Sequence, residues 1–294
     1  MPESDLESSI GQGFFLKLSS IEIINMMGSC LGSTSFDEIS SLHNLTSLFI
    51  RLDSSSIFNR DHTWMTRLKR FRIEVGKTSI YVPFNKSRRE IVGSKCETFS
   101  SRVVSGLLQF ASHLSLEEFM GLRKSAEEGN GHQIDPLPNL EHLSLVYVDN
   151  LQSVSDFGHL RFSKLRRLDI NICDSLTCLF NVDGGFSVPL EEITISYCEE
   201  LVELFVRCSS SQIPRVRKLV LRYLPKLGTL GESWEHLEEL KVISCNEIRK
   251  LPLSIQTSNN IKVIRGTPEW WSQLEWDDDN FKSNLEHCFT ESYW

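Results

Sequence analysis

The sequence predicts an α/β repeat solenoid, with a parallel β-sheet on one side and a mostly irregular, 3₁₀-like return path on the other. Three observations carry this prediction. Leu140, Leu143, Leu145, Val148, Leu151 and Val154 set an apolar frame that recurs from Leu165, Leu190, Val216 and Leu237. Its fourth-position residues, Leu143, Leu168, Ile193, Leu219 and Leu240, are separated by steps of 25, 25, 26 and 21 residues. Finally, Cys173, Cys198 and Cys245 fall at one and the same place in three of the five copies. Five tandem matches at a period inside the window of about 20–29 residues define leucine-rich repeats.

The spacing has a mechanical meaning. In L-x-L the two apolar residues leave an extended strand on one side and the residue between them leaves on the other. Apolar residues at three-residue steps then suit a loose 3₁₀-like path rather than a second strand. One repeat cannot bury so many apolar groups alone. Stacked copies turn the strands into one parallel sheet and the leucines into a continuous core, giving a leucine-rich-repeat horseshoe with a concave sheet face. A thiol at the turn position serves as a small apolar group with weak hydrogen-bonding capacity.

In chain order, residues 1–10 are polar. Leu18, Ile21 and Ile23 begin a repeat, Leu45, Leu48 and Ile50 the next, and Leu68, Phe71 and Ile73 a third. An array that starts so early leaves its first strand edge without a polar cap, and predicts that the chain is truncated or is the C-terminal part of something longer. From Val75 to Val104 the frame is lost, apart from a short strand expected over Ser79–Phe84 and a basic cluster at Lys86, Arg88 and Arg89. Ala111, Leu114, Leu116, Phe119 and Leu122 resume it weakly, and a polar loop from Arg123 to Gln133 leads into the regular array. The expected organisation is a repeat array over 1–254, irregular before 137 and regular over 137–254. A capping strand at Ile261–Ile264 and a Trp-rich acidic tail follow over 255–294. There Trp270, Trp271 and Trp276 form a lid and Asp277–Asp279 its solvated rim.

Composition narrows the function. The charge, 31 − 39 = −8 over 294 residues, argues against a nucleic-acid-binding surface as the main role. No apolar run reaches the roughly 18 residues that a membrane span needs. The acidic N-terminus is unlike a secretory signal. Eight cysteines are too few for a disulfide scaffold at this length, so reduced thiols and a cytoplasmic location are expected. Gly76-Lys77-Thr78 is not a phosphate loop, because Phe71 stands where that motif needs glycine. Gly28-Ser-Cys30-Leu-Gly32 has the form of a nucleophile elbow, but no base or oxyanion donors accompany it, and it reads as a loop between repeats. Cys173 and Cys178 lack a second ligand pair at zinc spacing. No enzyme, metal or cofactor is expected.

A functional surface would lie on the strand positions that face away from the core. His142, Arg167, Glu192, Lys218 and Glu239 form one column, and Ser144, Asp169, Thr194, Val220 and Lys241 the next. Val146, Asn171, Ser196, Arg222 and Ile243 form a third; Tyr147, Ile172, Tyr197, Tyr223 and Ser244 form the last. Tyrosine and arginine are enriched in binding hot spots, and charges of both signs suit a protein partner better than a polyanion. The candidate protein-binding residues are His142, Tyr147, Arg167, Asp169, Tyr197, Lys218, Arg222, Tyr223 and Lys241.

The chain resembles the C-terminal leucine-rich-repeat region of plant intracellular immune receptors, the nucleotide-binding leucine-rich-repeat disease-resistance proteins with an N-terminal coiled coil. The residues that carry this are Leu137-Pro-Asn-Leu-Glu-His-Leu143, Arg222-Tyr-Leu-Pro-Lys-Leu227 and Trp234-Glu-His-Leu-Glu-Glu-Leu240 with Cys245-Asn246. More specific still is Ile264-Arg-Gly266 leading to Glu269-Trp-Trp271-Ser-Gln-Leu-Glu-Trp276, and Trp64 to Gly76 also fits. The resemblance implies a switch in which a nucleotide-binding module exchanges ADP for ATP, while the repeats restrain it and sense pathogen effectors or guarded host proteins. This sequence contains neither the coiled coil nor the phosphate loop, so ADP and ATP are expected only in a module outside it. The expected partners are an effector, a guarded host protein or that nucleotide-binding module. Two other readings compete. A ubiquitin-ligase substrate-recognition adaptor needs an F-box helix cluster that residues 1–40 do not provide. A thiol hydrolase would have to centre on Cys30.

Overall fold

The computed structural model describes residues 12–31, 33–52, 62–76, 88–95, 107–118, 137–157, 162–181, 188–206, 215–231, 234–254, 256–276 and 279–293. The chain divides into two compact units, Met1–Leu140 and Glu141–Trp294.

In the first unit, β1 (Ile23–Leu31), β2 (Ser47–Leu52), β3 (Arg70–Val75), β4 (Arg89–Ser94) and β5 (His113–Glu117) pair in parallel in chain order. A bulge between Met26 and Cys30 breaks the β1–β2 register. Helix α1 (Ser33–Ser40) follows β1 and buries Phe36 and Ile39. Leu48 pairs with Phe71 and Ile50 with Ile73; Ile73, Ile91 and Leu114 then lie across from one another. Strand β4 corrects the expectation that the frame is lost here. Arg89 stands across from Phe71, a step of 89 − 71 = 18 residues, and puts a guanidinium where the pattern calls for an apolar side chain. Its charged carbon sits 5.6 Å from the Phe71 ring centre, a cation–π contact that substitutes for apolar packing. Ser79–Phe84 and Lys86 lie outside the described residues.

The second unit contains β6 (His142–Val146), β7 (Arg167–Asn171), β8 (Cys178–Asn181), β9 (Glu192–Ser196), β10 (Glu203–Val206), β11 (Lys218–Arg222), β12 (Glu239–Ile243), β13 (Val263–Gly266) and β14 (Phe289–Glu291). β6, β7, β9, β11, β12, β13 and β14 pair in parallel in that order. The pairing places Leu143, Leu168, Ile193, Leu219, Leu240 and Ile264 in one column. Each is at most 2% exposed. Burial of such a side chain stabilises by roughly 1.5–3 kcal/mol, so this column is the main source of cohesion.

The return path differs from expectation in part. Val154–Phe157 is 3₁₀, yet β8 and β10 form a two-stranded parallel sheet of their own. Thr177 N–H donates to Gln152 O at 3.0 Å, and Val202 N–H to Thr177 O at 3.0 Å, so successive repeats are also linked behind the main sheet. The Cys173, Cys198 and Cys245 thiols are buried and donate weakly to the Asn171, Ser196 and Ile243 carbonyls at 3.7, 3.5 and 3.3 Å. Burial pushes them up to about 12, 11 and 12 respectively, far from nucleophilic thiolates.

Beyond the last regular repeat, the strand spans Val263–Gly266 rather than Ile261–Ile264. Helix α2 (Pro268–Ser272) opens with Thr267 accepting from the Trp270 N–H and proline at its start. It buries Trp270 and Trp271, and the Trp270 indole donates to Ile248 O at 3.2 Å. Trp271 stacks on Phe289 of β14 with ring centres 4.5 Å apart. Gly266 is obligatory here, because a Cβ would stand 2.3 Å from the Trp270 ring. Of the expected aspartate rim, residues 277 and 278 lie outside the described residues, and Asp279 begins helix α3 (Asp279–Glu286).

Candidate protein interface

Strand burial separates the two units. In β7 burial alternates: Leu168 and Ile170 are buried, while Arg167, Asp169 and Asn171 are half-exposed. In β3 every residue after Arg70 is buried. The polar side of the first unit's sheet therefore holds its charges away from water. Arg72 pairs with Glu74 at 2.8 Å and Glu90 at 3.1 Å, and Arg51 reaches Glu74 at 3.0 Å. Glu117 is fully buried, and neither of its carboxylate oxygens is hydrogen-bonded among the described residues. Burial, reinforced by the Glu74 charge and opposed by Arg72, pushes it up to about 7.

In the second unit the corresponding strand face is open, and the residues selected from sequence fall into three groups. His142 Nε2 lies 2.7 Å from Asp169 Oδ2, and Arg167 Nε donates to the same oxygen at 3.0 Å. Burial works to raise the Asp169 pKa, but the hydrogen bonds from His142 and Arg167 outweigh it and hold this carboxyl below its usual range. Arg167 also faces Glu192 at 3.6 Å. Arg167 is thus held between two carboxylates.

The tyrosine column lies not within the strands but one residue past them. Tyr147, Ile172, Tyr197, Tyr223 and Ser244 all have φ between +52° and +55°. Each of the first four donates its backbone N–H to the last strand carbonyl of the next repeat, at 2.9–3.1 Å. The left-handed turn swings the side chain off the strand direction. Tyr197 and Tyr223 stack with ring centres 4.4 Å apart and planes 11° apart, and Tyr197 remains 47% exposed. Tyr147, 41% exposed, is set apart from that pair by Ile172 in the intervening repeat.

The third group is basic. Lys218, Val220, Arg222, Glu239, Lys241 and Arg265 line a shallow cavity of about 210 Å³ on β11, β12 and β13. Glu239 faces Lys218 at 3.5 Å and Arg265 at 3.7 Å. Lys241 stands directly across from Arg265, and burial lowers its pKa, with the Arg222 and Arg265 charges lowering it further. Arg265 is the residue that sequence reading missed. Its signal was available, because Ile264 occupies the fourth repeat position and the next residue must then face outward.

Cys30 lies in strand β1 across from Arg51, not in a loop as expected, and its side chain is exposed. Gly76 has φ +88°, and a Cβ there would stand 2.1 Å from Ser94 O, so its glycine belongs to the turn after β3. Lys77 and Thr78 lie outside the described residues. Among the described residues no group of three or more His, Cys, Asp or Glu is placed to hold a metal ion. Among them, too, no helix is long and apolar enough to cross a membrane.

The fold and this surface define the class: a leucine-rich-repeat solenoid with an open, charged and aromatic strand face. No protein-family model matches the chain. It is similar to the Disease resistance protein At4g27190 of Arabidopsis thaliana, 31% identical over 93% of this chain and 33% of that protein. It is also similar to the Probable disease resistance protein At4g27220 of the same plant, 29% identical over 82% of this chain and 32% of the relative. A shorter match, 29% identical over 38% of the chain and 9% of the relative, joins it to the Putative disease resistance protein At4g19050. The chain thus spans about a third of the length of the first two curated relatives.

Proposed function

We propose that this chain is the leucine-rich-repeat sensing and restraining region of a plant intracellular immune receptor of the nucleotide-binding, coiled-coil class. It works by binding protein rather than by catalysis. The similarity to plant disease resistance proteins along 93% of the chain supports the defence role. The observation that carries the binding role is the open face of β6 to β13, where paired tyrosines adjoin a cluster of cations. Buried, high-pKa turn thiols suit a reducing cytoplasm. The partner is a pathogen effector, a guarded host protein or the receptor's own nucleotide-binding module, and nucleotide exchange belongs to that module, outside these 294 residues.

The test is a charge reversal at Lys218, Arg222 and Lys241, expressed in leaf tissue with the nucleotide-binding module. Loss of partner capture, or spontaneous cell death from lost restraint, is the expected outcome. A variant that restrains and binds like the parent would remove this face from the mechanism.

A further inference from the structure

The basic end of the strand face contains a feature that general partner binding does not explain. Parallel pairing sets Lys241 directly opposite Arg265. Like charges placed directly across a sheet destabilise it. Arg222 approaches Lys241 from β11 and has no carboxylate at ion-pair distance among the described residues. Two glutamates flank the group: Glu239, which faces Lys218 and Arg265, and Glu192, across from Lys218 on β9. Among the described residues, Lys218, Arg222, Lys241 and Arg265 line the cavity together with a single carboxylate, Glu239, on a chain whose net charge is −8. At the other end of the same face Arg167 lies between two carboxylates, Asp169 at 3.0 Å and Glu192 at 3.6 Å.

We propose that the β11–β13 face is a docking site for an acidic segment of a partner protein, whose Asp or Glu carboxylates settle among Arg222, Lys241 and Arg265. The rest of the segment lies along the adjoining Tyr197–Tyr223 stack. A peptide suits the site better than a small anion for two reasons. The cavity is lined by strand residues, and the exposed Tyr197 ring, stacked on Tyr223 next to Arg222, offers apolar footing that a free phosphate cannot use. Guanidinium groups favour carboxylates through paired donors, and desolvated contacts with both groups raise affinity and set register. This inference rests on the reading that the face binds protein and specifies the chemistry of what binds.

The experiment is fluorescence anisotropy with the full 294-residue chain and a labelled Glu-rich peptide containing one tyrosine. A matched Gln peptide, inorganic phosphate and duplex DNA serve as comparisons. The Glu peptide is expected to bind, more weakly as salt rises, and the Gln peptide is not. The combination Arg222→Gln, Lys241→Gln and Arg265→Gln is expected to weaken binding at least about tenfold, and Arg222→Gln alone about threefold. Lys226→Gln, at an exposed cation paired with Glu200 elsewhere on the chain, is expected to change nothing. Equal binding of the Gln peptide, displacement by millimolar phosphate, tighter binding of DNA, or a triple variant that binds like the parent would each overturn the proposal. The leaf assay reads the regulatory role separately: lost peptide binding with restraint intact removes that role and leaves this site standing.

Discussion

The sheet faces of β3–β5 and β6–β13 are built by the same alternation, yet one is closed and the other open. On the closed face Arg72, Glu74, Glu90 and Glu117 are each less than 9% exposed. On the open face Arg167, Lys218, Glu239 and Arg265 have side chains 41–45% exposed. The difference shows that strand alternation fixes which residues leave the core, not whether water meets them. It also assigns the two sets of charges different work. Buried charges must be satisfied internally, whereas exposed ones remain available to a partner at small cost.

Substitutions can break or sharpen this contrast. The largest effect is expected at Arg72, where Arg72→Ala removes a buried cation that pairs with both Glu74 and Glu90 and costs about 3–5 kcal/mol in urea unfolding. Gly76→Ala follows, at about 2–3 kcal/mol, because the left-handed turn and the Ser94 carbonyl both oppose a Cβ. Glu117→Gln has the opposite sign and depends on pH. The folded pKa, about 7, lies above that of the unfolded chain, so the folded state binds the extra proton. The penalty for ionising Glu117 grows as pH rises through the window from the unfolded value toward 7, and is complete above it. The Gln variant should therefore match the parent in thermal melts at pH 4 and exceed it by about 1–3 kcal/mol at pH 8. The smallest effect belongs to the open face, where Arg167→Ala should cost about 0–1 kcal/mol, since its ion pairs are exposed to solvent. A cost at Arg167 equal to that at Arg72 would erase the distinction.

The regular repeats were legible in the sequence because Leu143, Leu168, Ile193, Leu219 and Leu240 keep nearly constant steps, and burial obliges such residues to stack. Strand β4 was not, because an 18-residue step and Arg89 at a core column disguise it, and only pairing with β3 exposes the frame. Strands β8 and β10 were hidden because a three-residue apolar rhythm does not tell a 3₁₀ path from a short strand linked to its neighbour. The nine candidate surface residues could be chosen by column, but their grouping could not. The Tyr197–Tyr223 stack depends on left-handed turns after the strands, and the His142–Asp169 contact crosses two repeats. Nor does alternation reveal that Glu117 is buried, since the residue facing away from the core in β5 reads as solvent-exposed.

Carboxyl footprinting tests the contrast most directly: brief carbodiimide coupling of glycine ethyl ester to the native chain, with labelled sites read by mass spectrometry. Glu192 and Glu239 should label early, while Glu74, Glu90 and Glu117 stay protected until the chain is unfolded. Labelling of all five at similar rates would contradict the account.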